Sequence, residues 1–205
     1  MNTNHHLNHG NFYGSHPANH NTNMVNQGPA PEPIKAFIRP PWHLQLVTYG
    51  TKAAFQMETS ISKDGWHTIL VESASKEDPN NPANLRYLWK NKTPIQIGRA
   101  ELPLFVGVFL GLLPSVKFDN HGDNLKYLEI VNQNKNFFIK SGGKGLPLHV
   151  APMPLAEAYM YGSMGLTQYA RNFDGLTSDA ALNIITRLCN QLYSCGNYKQ
   201  ATPRS

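Results

Sequence analysis

Charge is scarce in this chain. Asp, Glu, Lys and Arg make up 15% of its 205 residues, and none falls within residues 1–31. Those residues hold instead five of the nine His and eight Asn, with no helical or strand period. Such a segment cannot bury enough apolar surface to offset its ordering entropy, so residues 1–33 read as a disordered His/Asn-rich tail and the folded part starts near Ile34. Cysteine is almost missing too. Cys189 and Cys195 form neither a disulfide framework nor a CxxC metal knuckle, which excludes a cysteine-stapled scaffold and points to a reducing compartment. No apolar run reaches the ~20 residues that span a bilayer, so no membrane partner is expected. The N-terminal residues lack the basic region and apolar core of a signal peptide and the arginines of a transit peptide, so a cytoplasmic location is expected. HExxH, GxSxG and paired-carboxylate patterns are absent, as is a nucleophile beside an evident base. The expectation is a non-enzyme without cofactor or metal; His5, His6 and His9 could bind a divalent ion, but a disordered tail is the commoner explanation.

What is present is an excess of cations over short alternating segments. Residues 35–144 carry fourteen Lys and Arg against nine Asp and Glu, so the net charge of +5 belongs to the folded part and suggests an anionic partner. After Pro40 and Pro41, residues 42–49 read as a strand. In residues 52–58, Ala53, Phe55 and Met57 alternate with Lys52, Ala54 and Gln56, a period of two. A turn at 62–65 leads to a third strand over 66–74, with His67, Ile69 and Val71 sharing a face. A polar loop at 75–84 precedes a fourth strand, expected over 86–89 and 93–97.

The longest apolar run follows, residues 102–113, LPLFVGVFLGLL. Apolar on every side, it predicts a buried helix, with Gly98 and Glu101 as a capping box, Pro103 in an early turn and Pro114 at its end. The scheme then repeats. Short strands over 116–119, 125–131, 137–140 and 146–150 run into a helix over 155–173, whose expected stripe is Leu155, Tyr159, Gly162, Leu166, Tyr169 and Phe173. The SGGKG sequence at 141–145 lacks the rest of a phosphate-binding loop, and a hairpin turn accounts for it. Ser178 and Asp179 are expected to cap a last helix, with Leu182, Ile185, Leu188 and Leu192 as its stripe; residues 196–205 read as a loose end.

The order of these segments resembles the Whirly family of single-stranded DNA-binding proteins, whose fold is shared with positive-cofactor transcriptional coactivators. The resemblance covers residues 43–173. Tyr49-Gly50-Thr51-Lys52-Ala53-Ala54-Phe55 resembles the family's Lys-Gly-Lys-Ala-Ala-Leu strand motif, although only Lys52 carries over from its Lys-Gly-Lys part. Residues 87–89 with Lys90, Lys92 and the strand and helix of 95–113 resemble its Tyr-Asp-Trp segment and first helix. Residues 115–119, 127–130 and 137–139 resemble the start of its second sheet, and residues 150–173 its final strand and long helix. The resemblance implies an α+β fold over residues 34–175: two four-stranded antiparallel sheets, each followed by a helix; the expected C-terminal helix at 176–195 is a departure, standing in place of the family's usual tail. It also implies a dimer or tetramer assembled through the helices, for which Phe105, Phe109, Tyr159, Gly162 and Leu166 are the candidate interface residues.

A sequence-tolerant binder of single strands needs cations for phosphates and aromatic faces for bases. Lys52, Phe55, Trp66, Tyr87, Trp89, Lys90, Lys92, Lys126, Tyr127, Lys135, Phe138, Lys140 and Lys144 interleave these two types along the strands. Phe137 and Phe138 must face opposite sides, so at most one meets a base. Trp66 and Trp89 suit core packing as well as stacking, and a strand lysine guards an edge as readily as it meets a phosphate. The expected function is non-enzymatic binding of single-stranded DNA in repair, recombination or transfer. RNA binding and a protein-interaction subunit, the latter suggested by the Gly- and Met-rich face at 160–165, are the alternatives.

Overall fold

The computed structural model describes residues 40–196, so the expectations for the N-terminal tail, His5, His6 and His9 included, and for residues 197–205 lie outside the described residues. Two four-stranded antiparallel sheets form the frame, each in sequential strand order. The first contains β1 (Gln45–Tyr49), β2 (Ala53–Ile61), β3 (His67–Ser75) and β4 (Thr93–Gln96). The second contains β5 (Ser115–His121), β6 (Lys126–Asn132), β7 (Asn136–Gly143) and β8 (Leu146–Pro154). Helix α1 (Leu102–Phe109) follows the first sheet, α2 (Leu155–Arg171) the second, and α3 (Ser178–Ser194) closes the described chain. None of these helices is long and apolar enough to cross a membrane.

Alternation decides what each strand buries. Phe55, Met57, Ile69, Val71 and Ile95 of the first sheet and Leu128, Ile130, Phe137, Ile139 and Met153 of the second enter one core. The expected fourth strand is split. Only Thr93–Gln96 pairs along β3, while Tyr87 makes a single bridge to Lys76 and Trp89–Asn91 winds into a 3-10 turn.

Six of the eight α1 residues are buried and Pro103 and Leu104 are half-buried, much as the sequence predicts, but the helix ends at Phe109 rather than running to Leu113. Gly111 takes a left-handed φ of 74°, and the N–H groups of Leu112 and Leu113 return to the carbonyl of Gly107. The expected capping contact forms: Glu101 Oε2 accepts from Gly98 N at 2.7 Å.

This one chain covers α1 by itself, which corrects the assignment of Phe105, Phe109 and Gly162 to an interface between protomers. Phe105 and Phe109 are fully buried. A Cβ on Gly162 would lie 2.6 Å from Leu110 Cδ2 and 3.3 Å from the backbone carbon of Phe109, so that glycine is what lets α2 close on the end of α1. Leu166 is half-buried against the same core, and Tyr159 alone of the five is exposed. The buried face of α2 is accordingly Ala158, Tyr161, Gly162, Met164, Gly165 and Gln168, whereas Leu155, Tyr159 and Phe173 of the expected stripe face outward. On α3 the deepest positions are Ala181, Ile185 and Cys189, and the cap is Thr177, whose Oγ1 accepts from Ala180 N.

A polar seam joins the two sheets inside the core. His149 on β8 places Nδ1 2.7 Å from Ser73 Oγ and Nε2 3.0 Å from Ser75 Oγ, and Ser73 Oγ is 2.7 Å from Ser141 Oγ. Burial alone pushes the imidazole pKa below its ordinary value.

Candidate nucleic-acid interface

The parity that sends Thr48 inward, onto Tyr161 and Glu157 of α2, sends Tyr49 outward at the end of β1. Tyr49 is 66% exposed and its ring centroid lies 5.5 Å from that of Tyr87, which in turn lies 6.4 Å from Trp89. These three rings form a ladder; Tyr49 is paired with Ala54 and Ala54 with Ala74, so the positions beside it on this face of β2 and β3 carry small side chains. Tyr87 is fixed by its hydroxyl, which donates to the carbonyl of Gly50 at 2.7 Å. Burial, reinforced by Tyr49, raises its pKa above the ordinary phenol value, so the donor proton is retained at neutral pH.

Cations border the ladder. Lys52 is exposed in the β1–β2 turn, where its carbonyl accepts from Lys76 N, one residue pair from Tyr87. Lys90 is exposed on the 3-10 turn that carries Trp89. Lys92 is different: its Nζ lies 2.7 Å from each oxygen of Glu72, a buried carboxylate that also accepts from Gln56 Nε2 at 3.1 Å. Its charge is largely spent on keeping Glu72 in the sheet.

The second sheet presents another outward row, Lys117, Glu129 and Lys140, opposed in register. Tyr127 lies beneath both lysines, with Nζ of Lys117 5.3 Å and Nζ of Lys140 5.7 Å from its centroid. Its other side rests on Gly142, where a Cβ would come 3.1 Å from the ring. Lys140 also bonds Glu129 at 2.5 Å, a contact that raises its pKa. Lys117 pairs with Asp119 at 2.8 Å. Tyr127 therefore has little free face for a base. Phe138 is half-buried on this outer surface, opposite Val131 and Pro152, while Phe137 is in the core.

Three expected site residues belong elsewhere. Phe55 is fully buried, because its parity in β2 turns it inward, and it cannot meet a base. Trp66 precedes β3 and lies at the opposite end of that strand from Tyr87, which bridges Lys76, so the two are about 33 Å apart along the strand at ~3.3 Å per residue. There it packs edge-on against Phe173 at 5.7 Å, with the Arg99 guanidinium 5.2 Å from its centroid. Lys126 turns toward the first sheet, where its Nζ donates to the carbonyl of Pro94 at 2.7 Å, a strut between sheets. Lys135 and Lys144 are exposed in the turns before β7 and β8. Tyr49 and Lys117 are the surface groups that sequence reasoning passed over; the alternation of Val47 and Tyr49 against Leu46 and Thr48 is the signal that locates the first. Among the described residues no three His, Cys, Asp or Glu side chains converge as a metal site.

The ladder and its flanking lysines can hold unpaired bases by stacking and phosphates by charge. No protein-family model matches the chain, and a comparison with curated proteins returns no match.

Proposed function

We propose that this chain is a non-enzymatic, sequence-tolerant binder of single-stranded DNA, of Whirly-like type, acting in repair, recombination or transfer. The observation that carries the reading is the Tyr49–Tyr87–Trp89 ladder, held on the solvent face of the first sheet beside the exposed Lys52 and Lys90. Bases stacked there exchange water for aromatic faces, and every base has such a face, which is why the mode tolerates sequence. Two four-stranded sheets, each followed by a helix, are also what the Whirly resemblance implies, and they add support at the level of fold.

The test is fluorescence anisotropy with a labelled single strand of about 30 nucleotides, its duplex and its RNA counterpart, on the native chain and on Tyr49→Ala. Tyr49 is mostly solvent-exposed, so its removal spares the fold. Loss of one stacking partner is expected to weaken single-strand binding by about 5- to 150-fold, the equivalent of ~1 to 3 kcal/mol, with the duplex bound weakly throughout. Absence of binding to all three probes defeats the reading, and tighter binding of RNA transfers it to RNA.

A further inference from the structure

A groove of about 650 Å³ lies on another part of the molecule, between the segment that leads into β1 and the outer face of α2. Trp42, Leu44, Leu46, Tyr159, Met160 and Met164 give it an apolar lining. Leu44, Tyr159 and Met160 stand 46%, 49% and 52% exposed along it, a concentration of apolar surface that the fold itself does not need.

Among the described residues one permanent charge, Arg171, enters this lining, and no carboxylate does. The Arg171 guanidinium sits 5.7 Å from the Trp42 ring centroid, and Nη1 donates to Gln168 Oε1 at 2.9 Å. Gln168 is fully buried and is itself anchored, its Nε2 donating to the carbonyl of Thr68 at 3.2 Å. The cation is thus pre-positioned by a ring and by a buried amide, yet no acid pairs with it among the described residues. Along the same wall the hydroxyls of Ser163 and Thr167 donate to carbonyls one turn back, at 2.9 and 3.0 Å, which leaves their oxygens as acceptors toward the groove.

We propose that this groove docks an acidic, apolar peptide segment of a partner protein, with a carboxylate on Arg171 and apolar side chains along Leu44, Met160 and Met164. The chemistry separates this occupant from the others. A nucleic-acid strand needs a row of cations, and the groove has one. A second copy docked through the same face by two-fold symmetry would set Arg171 against a lining without acids. The chain's own residues 1–39 hold a single acid, Glu32. Two methionines in the lining suit it to apolar side chains of varied shape.

The experiment pans short random peptides displayed on phage against the full chain and against Arg171→Glu. The enriched peptides are then synthesised with a fluorescent label and titrated into the native chain, Arg171→Glu and Met160→Glu, each checked by thermal melting. The expected result is a consensus of Asp or Glu next to Leu, Ile or Phe, bound at least about tenfold more weakly by either variant, with single-strand binding unchanged. A basic consensus, no enrichment, or equal binding by Arg171→Glu overturns the proposal. So does a Glu32→Gln chain that binds peptide tenfold more tightly, which assigns the groove to the N-terminal segment. A dimer that sedimentation shows to be dissociated by Met160→Glu assigns it to a second copy.

Discussion

The lysines that look alike in the strands should differ sharply in their salt response. Lys52 and Lys90 are exposed beside the ladder and take part in none of the ion pairs among the described residues, whereas Lys126 Nζ is held on the carbonyl of Pro94. Each phosphate neutralised on a single strand contributes about 0.7 to the slope of log affinity against log salt. Replacing Lys52 and Lys90 together with Gln should therefore flatten that slope by about 1.4. Between about 50 and about 200 mM salt, a fourfold change, the native chain should lose about sevenfold more affinity than the double variant does. Lys126→Gln should leave the slope close to native and lower stability by about 0.5 to 1.5 kcal/mol, the net worth of one hydrogen bond. Anisotropy at four salt concentrations reads the slopes, and urea unfolding reads the stability. Equal slopes for the native chain and the Lys52/Lys90 variant would refute the assignment of these two lysines to phosphates. A flattened slope in Lys126→Gln would refute its reading as a strut.

Two further outcomes follow from the core. Gly162→Val places a side chain 2.6 Å or less from Leu110 and should cost about 1 to 3 kcal/mol in urea unfolding while sedimentation stays native; an altered oligomer at native stability would return Gly162 to an interface between chains. Burial holds the His149 imidazole neutral in the fold, so the unfolded chain takes up its proton first as pH falls. Stability should be complete above about pH 6.5 and decline below it, until the folded imidazole protonates too. His67, lowered by burial and by Arg171, adds a decline of the same sign. Unfolding at pH 7.5 and 5.5 checks this: His149→Gln should be less stable at the upper pH and lose less on acidification, and an undiminished loss would remove His149 as its source.

Much of this fold is legible in the sequence, and the reason is parity. A strand with one face in the core must alternate, so Phe55 and Met57, or Phe137 and Ile139, announce both a strand and its buried side. The same parity already places Phe55 in the core. Counting it among base-stacking candidates weighted its residue type above its position. Helix faces are harder to read. Leu155 and Tyr159 on α2, with Phe173 just past its end, suggest one stripe, but the close contact with α1 is made by Gly162 and Gly165, where backbones approach because nothing projects. Small residues carry no hydrophobic signal, so a size-weighted stripe rotates the helix away from its true buried face.

Trp66 and Trp89 show the same limit from the other direction. Both lie next to a strand and each has a lysine within three residues, Lys63 and Lys90, but only Trp89 joins the ladder. The difference arises from Phe173 and Arg99, distant in sequence, which enclose Trp66, and from the bridge between Tyr87 and Lys76, which carries Trp89 to the outer face. Lysines divide likewise. Lys92 is committed to Glu72, Lys140 to Glu129 and Lys126 to a carbonyl, while Lys52 and Lys90 have none of these commitments. The net positive charge therefore overstates what a phosphate backbone can use. A cation already paired with a carboxylate must first give up that partner, and releases correspondingly little free energy on meeting a phosphate. Affinity should follow the number of uncommitted lysines beside the rings rather than the total charge of the chain, and removing Lys140 should cost less binding than removing Lys90 although both change the net charge equally.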